Sequence, residues 1–444
     1  MNLFSYRLLT SLALPLIAYS GWKRCRKQTL QHEAHPEQAE VKQCFRSRFG
    51  YNQQDYQTGG IWIHAVSVGE TRSIFPLLSK LKQQYPASPL TVTNGSTQGA
   101  LQALQFSPVE IQHQMIPYDF PFAVNRFLDQ IQPKLVIMVE TEIWPNLYQA
   151  CSDRKIPIIL INARLKEKSF LSYQKWGGKM LANALNQTQF IATQFPIDAQ
   201  YFAQLGAQTD KIKTLGNLKF DLTIPEALPQ QAADWKTENQ LSERFIWVAA
   251  STHAHPESNN DSEEQLMLQA HQQFIQTANP DQPQPLLIIV PRHADRFDEV
   301  AQQIEASGLS YARRSHNQVI TAQTQVYLAD SVGELMLWFA ACNTAFIGGS
   351  LVPFGGHNIL EPAALNKVVV SGPHYQNLKA LFDTFSEDQA LSIVDSPAEL
   401  AALLTDLSKH PQKQALLAQQ AFNSFSQHSG ALDKLLREID LILD

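Results

Sequence analysis

The 444-residue sequence predicts an α/β protein with two layers of parallel strands and flanking helices, preceded by an apolar N-terminal segment. Three observations support this prediction. Short apolar runs alternate with amphipathic segments from Gly60 onward, the alternation restarts after a polar stretch at 223–242, and residues 1–22 are unusually apolar. A strand–helix–strand rhythm of this kind produces right-handed crossovers and a mostly parallel sheet.

The apolar N-terminal segment predicts a membrane anchor over residues 1–22. The stretch from Leu3 to Trp22 is about 20 residues long, which is just enough to cross a bilayer. A cleaved signal peptide and an ordinary packed helix are the alternatives, but the basic run 23–27 stands where a cleavage site should lead into the mature chain. These basic residues predict that the following domain faces anionic headgroups on the cytoplasmic side. Pro15 and Ser20 leave a full span and a monotopic insertion both open.

The strand–helix alternation divides the remaining chain into two domains, 23–222 and 243–444, joined by a linker at 223–242. The last helix of the second domain could pack back on the first. Two α/β layers joined this way predict a ligand crevice between them, beyond the carboxyl ends of the strands. Strands are predicted at 61–66, 90–93, 135–139 and 156–161, then at 245–250, 286–290, 326–328, 344–347 and 368–370, with helices at 74–84 and 122–130.

Composition excludes several classes of protein. The net charge of −6 and the pI near 6.1 argue against a general nucleic-acid binder. The sequence lacks the series of long apolar spans of a polytopic membrane protein. Four widely spaced cysteines without a CxxC pair predict reduced thiols, with neither a metal cluster nor a disulfide framework.

Polar side chains follow the predicted strands of the first domain. Glu70 follows the strand at 61–66 through a glycine, which permits a tight turn into the next helix. Its carboxylate could remove a proton from an acceptor hydroxyl if its pKa were raised, or it could simply favour a helix N-terminus. Glu140 and Glu142 end the strand at 135–139, where a cap is the alternative. Lys219 precedes the linker, where a solvated lysine is the alternative.

Cationic and polar side chains follow the strands of the second domain. His253 follows the strand at 245–250, and Arg292 and His293 follow the strand at 286–290. Such groups suit an anionic ligand, although His293 could equally be a turn histidine. His253 and His255 are two residues apart without nearby carboxylate ligands, so no metal site is predicted.

The stretch 348–362 is the most informative, because two double glycines flank a short loop. Paired glycines let backbone N–H groups approach a phosphate, and a helix beginning near Asn358 offers its positive end. Glu361 could then accept hydrogen bonds from ribose hydroxyls. The stretch is not a Walker A motif, because no Gly-Lys-Ser/Thr follows.

Seven ordered motifs give the sequence a resemblance to the 3-deoxy-D-manno-octulosonic acid (Kdo) transferases of lipopolysaccharide assembly. The resemblance covers nearly the whole chain, and it departs after ASTH, where AHPESNNDS precedes Glu263 and Glu264. The motifs are HAVSVGE (64–70), ETEIWPN (140–146), NARL (162–165), GNLKFD (216–221), ASTH (250–253), PRHADRF (291–297) and GGSLVPFGGHNILEPAAL (348–365).

The resemblance implies a GT-B fold, with two Rossmann-like domains facing a cleft, and a metal-independent inverting glycosyltransferase without a cofactor. Such an enzyme moves Kdo from CMP-Kdo to the lipid A precursor lipid IVA at the cytoplasmic face of the inner membrane, with no nucleic-acid partner. By motif match, Glu70 would be the proton acceptor, and Glu140 and Lys219 would stabilise the transition state. The CMP site would comprise Pro291, Arg292, Val332, Gly333, Glu334, Asn358, Ile359, Leu360 and Glu361.

Two other functions remain open for this sequence. A GT-B-fold nucleotide-sugar epimerase would need no membrane anchor, which the N-terminus contradicts. A membrane-tethered nucleotide-sugar-binding protein would carry the same binding motifs without turnover.

Overall fold

The computed structural model describes residues 2–34, 44–51, 55–222, 224–257, 260–277 and 283–443. The chain divides into two compact units, one formed by Met1–Asp221 with Ser429–Asp444 and the other by Leu222–His428. Each unit contains one seven-stranded sheet. The two α/β layers predicted from the sequence are therefore present.

The strands of the first unit are Ile61–His64 (β1), Leu90–Asn94 (β2), Gln112–Met115 (β3), Leu135–Val139 (β4), Ile158–Ala163 (β5), Ile191–Thr193 (β6) and Ile212–Thr214 (β7). They pair in parallel in the order β3-β2-β1-β4-β5-β6-β7. The order reverses between β1 and β4, so the carboxyl ends of these two strands border the usual ligand crevice of a doubly wound sheet.

Helices cover both faces of this sheet, which is why β1, β2, β4 and β5 are buried along their whole length. Trp62 packs with Phe127 in the core on one face, and Ile63 packs with Leu78 in the core on the other. The helices are Leu3–Ala34 (α1), Cys44–Ser47 (α2), Val68–Ser73 (α3), Phe75–Gln84 (α4), Thr97–Phe106 (α5), Pro121–Ile131 (α6), Pro145–Asp153 (α7), Glu167–Trp176 (α8), Gly178–Asn186 (α9) and Pro196–Gln204 (α10).

The strands of the second unit are Ile246–Thr252 (β8), Leu286–Pro291 (β9), Tyr311–Arg313 (β10), Val326–Leu328 (β11), Thr344–Ile347 (β12), Val368–Ser371 (β13) and Ser392–Ile393 (β14). They also pair in parallel, in the order β10-β11-β9-β8-β12-β13-β14. Here the order reverses between β8 and β12, which makes the carboxyl ends of these strands the second ligand crevice.

The helices of the second unit cover its sheet, and a final helix belongs to the first unit. Those of the second unit are Leu228–Glu238 (α11), Glu263–Thr277 (α12), Phe297–Ser307 (α13), Leu335–Ala341 (α14), Leu360–Ala364 (α15), Lys379–Glu387 (α16), Pro397–Lys409 (α17) and Pro411–His428 (α18), and the final helix is Ala431–Leu443 (α19).

The final helix is held to the first unit by its apolar face and by a carboxylate. Leu435, Leu436 and Ile439 are buried in the core that contains Ile63. The Asp221 carboxylate accepts hydrogen bonds from the backbone N–H groups of residues 430 and 432, at 2.5 and 2.7 Å. These contacts satisfy donors at the start of α19, which have no partner inside the helix.

Two features differ from the sequence-based expectations. The segment 223–242, expected to be a linker, contains α11 and belongs to the second unit, because Trp235 packs against Trp338 with ring centroids 5.2 Å apart. Of the cysteines, Cys151 and Cys342 are free and buried, but Cys25 is disulfide-bonded, so the expectation of reduced thiols is wrong for that residue.

Candidate functional site

Glu70 lies at the ligand crevice of the first sheet, in the first turn of α3, shortly after β1. Its carboxylate accepts hydrogen bonds from the Val66 N–H at 2.7 Å and the Ser67 hydroxyl at 2.8 Å. Burial raises the pKa of Glu70; the two hydrogen bonds oppose this shift, and the Glu140 and Glu142 carboxylates add to it. A half-buried carboxylate whose pKa is raised is a stronger base than an ordinary surface carboxylate.

Glu140 and Lys219 approach each other within the first unit. The Lys219 Nζ lies 3.6 Å from the Glu140 Oε1, and both side chains are partly exposed. Glu140 directly follows β4 and has a φ of 61°, a left-handed backbone conformation that is uncommon for a residue with a side chain. Such conformations cluster at functional sites, where the surrounding structure holds them.

A buried histidine that sequence analysis did not single out adjoins these carboxylates. His64 ends β1, and its Nε2 lies 3.8 Å from the Glu142 Oε2. The Trp144 indole N–H donates to the same Glu142 carboxylate at 2.6 Å. Burial alone would raise the pKa of Glu142, but the His64 and Trp144 contacts outweigh burial and lower it. The sequence signals for His64 are its place at the end of a buried strand and at the start of the HAVSVGE motif.

The N-terminal helix is attached to the loop that ends the ETEIWPN motif. The Tyr6 hydroxyl donates to the buried Asp119 carboxylate at 3.0 Å, and the Arg7 Nε donates to the Asn146 Oδ1 at 2.7 Å. Asp119 also accepts the N–H groups of Asn146 and Leu147 at the start of α7. The helix therefore lies against the domain that carries Glu70.

The opposite side of the N-terminal helix is apolar and exposed. One helix of the described residues, over Leu3–Lys23, is long and apolar enough to cross a membrane. Leu12 is 71% and Leu16 is 74% exposed, and Phe4 and Leu8 are exposed with them. An exposed apolar stripe of this size is typical of a surface that contacts lipid or another protein.

The residues predicted to bind CMP lie at the strand ends of the second unit, with different accessibilities. Arg292 is exposed directly after β9. Val332 is 84% exposed, and Gly333 has a φ of 92° and open space on its Cβ side. Buried members of the set can reach a ligand only through the backbone, and they are Pro291, Ile359 and Leu360.

The acidic and amide members of that set already have partners in the protein. The Glu334 carboxylate accepts two hydrogen bonds from the Arg314 guanidinium, at 2.7 and 3.0 Å, and one from Ser331. The Asn358 Oδ1 accepts the Leu360 N–H at 3.2 Å. Glu361 is half-buried in the first turn of α15.

The glycine-rich loop does not offer its first backbone N–H groups to a phosphate, contrary to the expectation from its double glycines. The buried Glu263 carboxylate accepts the N–H groups of Gly349, Ser350 and Leu351 at 2.6, 3.0 and 2.9 Å. The next pair of glycines donates to the Gly349 carbonyl. Burial raises the pKa of Glu263 to about 7, although these N–H groups act to lower it.

Glu264, the second acidic residue after the segment AHPESNNDS, also has a structural role. Glu264 is fully buried and binds the Arg296 guanidinium through both carboxylate oxygens, at 2.7 and 3.0 Å. The acidic pair that follows AHPESNNDS thus secures the second unit, Glu263 to the loop after β12 and Glu264 to the turn after β9.

Comparison with known proteins assigns the family. Residues 43–222 match the family model described as 3-deoxy-D-manno-octulosonic-acid transferase (kdotransferase). The chain is 35% identical to the 3-deoxy-D-manno-octulosonic acid transferase of Haemophilus influenzae, over 85% of this chain and 86% of that protein. This chain belongs to the Kdo transferase family. The transferase of Bordetella pertussis is 32% identical, over 86% of each chain.

The fold of this Kdo transferase family member also resembles that of a nucleotide-sugar enzyme. The crystal structure of UDP-GlcNAc 2-epimerase from Neisseria meningitidis superposes with a TM-score of 0.54 at 14% identity, over 86% of this chain and 99% of that one. The likeness supports the predicted GT-B architecture of two Rossmann-like domains. Membership of the Kdo transferase family makes the chain a glycosyltransferase, so the epimerase alternative is not needed to explain its fold.

No candidate metal centre occurs among the described residues. They include no group of three or more His, Cys, Asp and Glu side chains placed to hold a metal ion.

Proposed function

We propose that this enzyme transfers Kdo from CMP-Kdo to the lipid A precursor lipid IVA, without a metal ion and with inversion at the anomeric carbon. The observation that carries the proposal is Glu70, a half-buried carboxylate with a raised pKa at the crevice of the first sheet. The acceptor hydroxyl loses its proton to Glu70 and attacks the anomeric carbon as the bond to CMP breaks. A single displacement inverts that centre.

Charged side chains are available to stabilise the negative charge that develops during transfer. The Lys219–Glu140 pair lies in the unit that carries Glu70, and its ammonium group can stabilise developing negative charge. CMP leaves as an anion. In the proposed CMP site, Arg292 supplies an exposed cation, and Val332 and Gly333 form an exposed turn. We infer that the other proposed members contribute their backbone to the same site, and they are Asn358, Ile359, Leu360 and Glu361.

We place the reaction at the inner membrane, on its cytoplasmic side. The exposed apolar stripe of α1 supports contact with a bilayer, and the basic run 23–27 favours anionic headgroups. The helix also bonds to the unit that carries Glu70, which favours insertion along the membrane surface. A lipid acceptor would then enter the site from the bilayer that the helix contacts.

The test uses the full chain purified in detergent, mixed with CMP-Kdo and lipid IVA, with and without EDTA. The expected result is CMP release and a lipid mass increase of one or more Kdo residues, unchanged by EDTA, with product NMR showing the inverted anomer. Donor binding without any mass increase would instead identify a tethered binding protein. Loss of transfer in EDTA that returns with a divalent cation would contradict metal independence.

A further inference from the structure

Three histidines converge at the crevice of the second sheet. His253 follows β8, His293 follows β9, and His357 lies in the loop after β12. The Nε2 atoms of His253 and His357 are 2.7 Å apart, and the ring centroids of His253 and His293 are 5.2 Å apart in an edge-on arrangement. The Phe354 ring stacks on His253 with centroids 3.7 Å apart. The cluster is thus built at the place where this fold binds ligands.

The loop backbone is shaped around these rings. Gly349 has a φ of 67°, and a Cβ there would lie 3.1 Å from the His357 ring and 3.3 Å from the His253 ring. Its N–H group, like those of the next two residues, is bonded to Glu263. An anion at this crevice cannot use these three N–H groups, and the imidazoles beside the loop are alternative donors.

The hydrogen bond between His253 and His357 decides what these imidazoles can donate. One Nε2 carries a proton and the other accepts it, so the neutral pair has one protonated and one unprotonated Nδ1. Taking up one proton from solvent leaves the Nε2 hydrogen bond in place and protonates the second Nδ1. The pair then carries one positive charge and two Nδ1–H donors, which suits an oxyanion.

Burial and the surrounding charges keep this pair neutral until an anion arrives. Burial, the larger cause, and the nearby Arg292 and His293 together lower the pKa of His253 to about 3 and that of His357 to about 4. Arg296 also lowers the pKa of His253. Glu263, the facing carboxylate, accepts the backbone N–H of His253 at 3.3 Å. A bound anion would offset the cationic charge and raise the affinity of the pair for a proton.

We propose that His253, His293 and His357 form the subsite that binds the anionic centre of the donor, and that donor binding takes up a proton there. The subsite adjoins Arg292 and Asn358 in the chain, so it extends the proposed CMP site. The anionic centre is the phosphate of the nucleotide or the carboxylate of the sugar. This inference rests on CMP-Kdo being the donor.

Titration calorimetry of the detergent-solubilised full chain tests the proton. CMP-Kdo, CMP and free Kdo are each titrated at pH 6.5 and at pH 7.5 in two buffers with different heats of ionisation. The difference in binding heat gives the number of protons taken up. We expect net proton uptake with CMP-Kdo that is larger at pH 6.5 than at pH 7.5, and a donor affinity that falls as the pH rises.

Three glutamine variants test the residues. His253→Gln and His357→Gln should weaken donor binding about tenfold and abolish the proton uptake, since each removes a charge-assisted hydrogen bond. His293→Gln should weaken binding without abolishing uptake, and because His293 is exposed this variant should fold normally. His410→Gln is the matched control, because His410 lies at the end of α17 in an exposed pair with Asp406.

The outcomes separate the proposals. Weaker binding of both CMP and CMP-Kdo in the variants assigns the phosphate to the histidines, and weaker binding of CMP-Kdo alone assigns the sugar carboxylate. Wild-type binding of CMP-Kdo without proton uptake, or folded variants that bind like the wild type, would overturn the histidine subsite and leave the proposed function standing. A wild-type chain that does not bind CMP-Kdo would overturn both.

Discussion

At the scale of single residues, the surroundings of Glu70 in the first unit act on its pKa in opposite directions. Burial and two neighbouring carboxylates raise the pKa of Glu70, whereas the Val66 N–H and the Ser67 hydroxyl stabilise its ionised form. A base needs both effects, because it must be ionised before the reaction and must hold the proton afterwards. The hydrogen bonds also fix the direction of the carboxylate.

Glu70→Gln should abolish most of the activity without unfolding the protein. General-base catalysis contributes about 100-fold or more, so kcat should fall by at least that factor while CMP-Kdo still binds. Glu110→Gln, at an exposed position of the same unit, should retain full activity. A Glu70→Gln variant with normal kcat would remove Glu70 from its proposed role.

The pH dependence of the wild type should reflect the same carboxylate. The pKa of Glu70 is raised from 4.5, so the base form and kcat/KM should be lost on acidification at a pH above 4.5. Because the folded-state pKa lies above the unfolded one, protonated Glu70 favours folding below pH 4.5, and this contribution is lost as the pH rises through the folded pKa. The neutral amide of the Glu70→Gln variant escapes that loss, so thermal melts at about pH 8 should show the variant no less stable than the wild type.

Glu263 is a residue whose role is structural although it lies beside a proposed ligand site. Glu263→Ala leaves three N–H groups of the loop after β12 without an acceptor, two of them buried and one partly buried. At about 1–3 kcal/mol for each group, the free energy of unfolding should fall by about 3 kcal/mol or more. Urea unfolding measures this change, and the exposed Glu257→Ala is the control. A change below about 1 kcal/mol would contradict the role.

At the scale of elements, the buried parallel strands were predictable and the marginal ones were not. The runs at 135–139 and 344–347 are almost uniformly apolar, which indicates a strand buried on both faces. By contrast, β3 reads Gln-His-Gln-Met at a sheet edge, and β14 has two residues. Neither carries the apolar run that marks a buried strand, so no local pattern indicates them.

The candidate site shows the same division. Strand ends located Glu70, Glu140 and Arg292, because parallel strands bring their carboxyl ends to one edge. The use of the loop N–H groups by Glu263 could not be predicted, since 86 residues separate Glu263 from Gly349. The contact of His64 with Glu142 was missed for the same reason.

The N-terminal helix combines two functions that separate substitutions should distinguish. Tyr6→Phe removes the hydrogen bond to the buried Asp119, so the free energy of unfolding should fall by about 1.5 kcal/mol, while liposome binding should be unchanged. Leu12→Ser alters only an exposed apolar position, so it should weaken liposome binding and leave stability within about 0.5 kcal/mol.

Denaturation and flotation with anionic liposomes measure the two properties. If Tyr6→Phe leaves stability unaltered, the helix is not held to the first unit by this contact. If Leu12→Ser binds liposomes like the wild type, another surface carries the membrane contact.

At the scale of the whole molecule, the first unit is built from two separate parts of the chain. Helix α19 follows the second unit in sequence but completes the core of the first. Leu435→Ala should therefore destabilise the first unit by about 3 kcal/mol, the usual range for a buried leucine. Hydrogen exchange followed by mass spectrometry should show faster exchange in α4 and β2, whereas α12 and α17 keep their wild-type rates. Leu404→Ala, equally buried in α17, should give the reverse pattern. Faster exchange throughout 222–428 in the Leu435→Ala protein would show that the two cores unfold together.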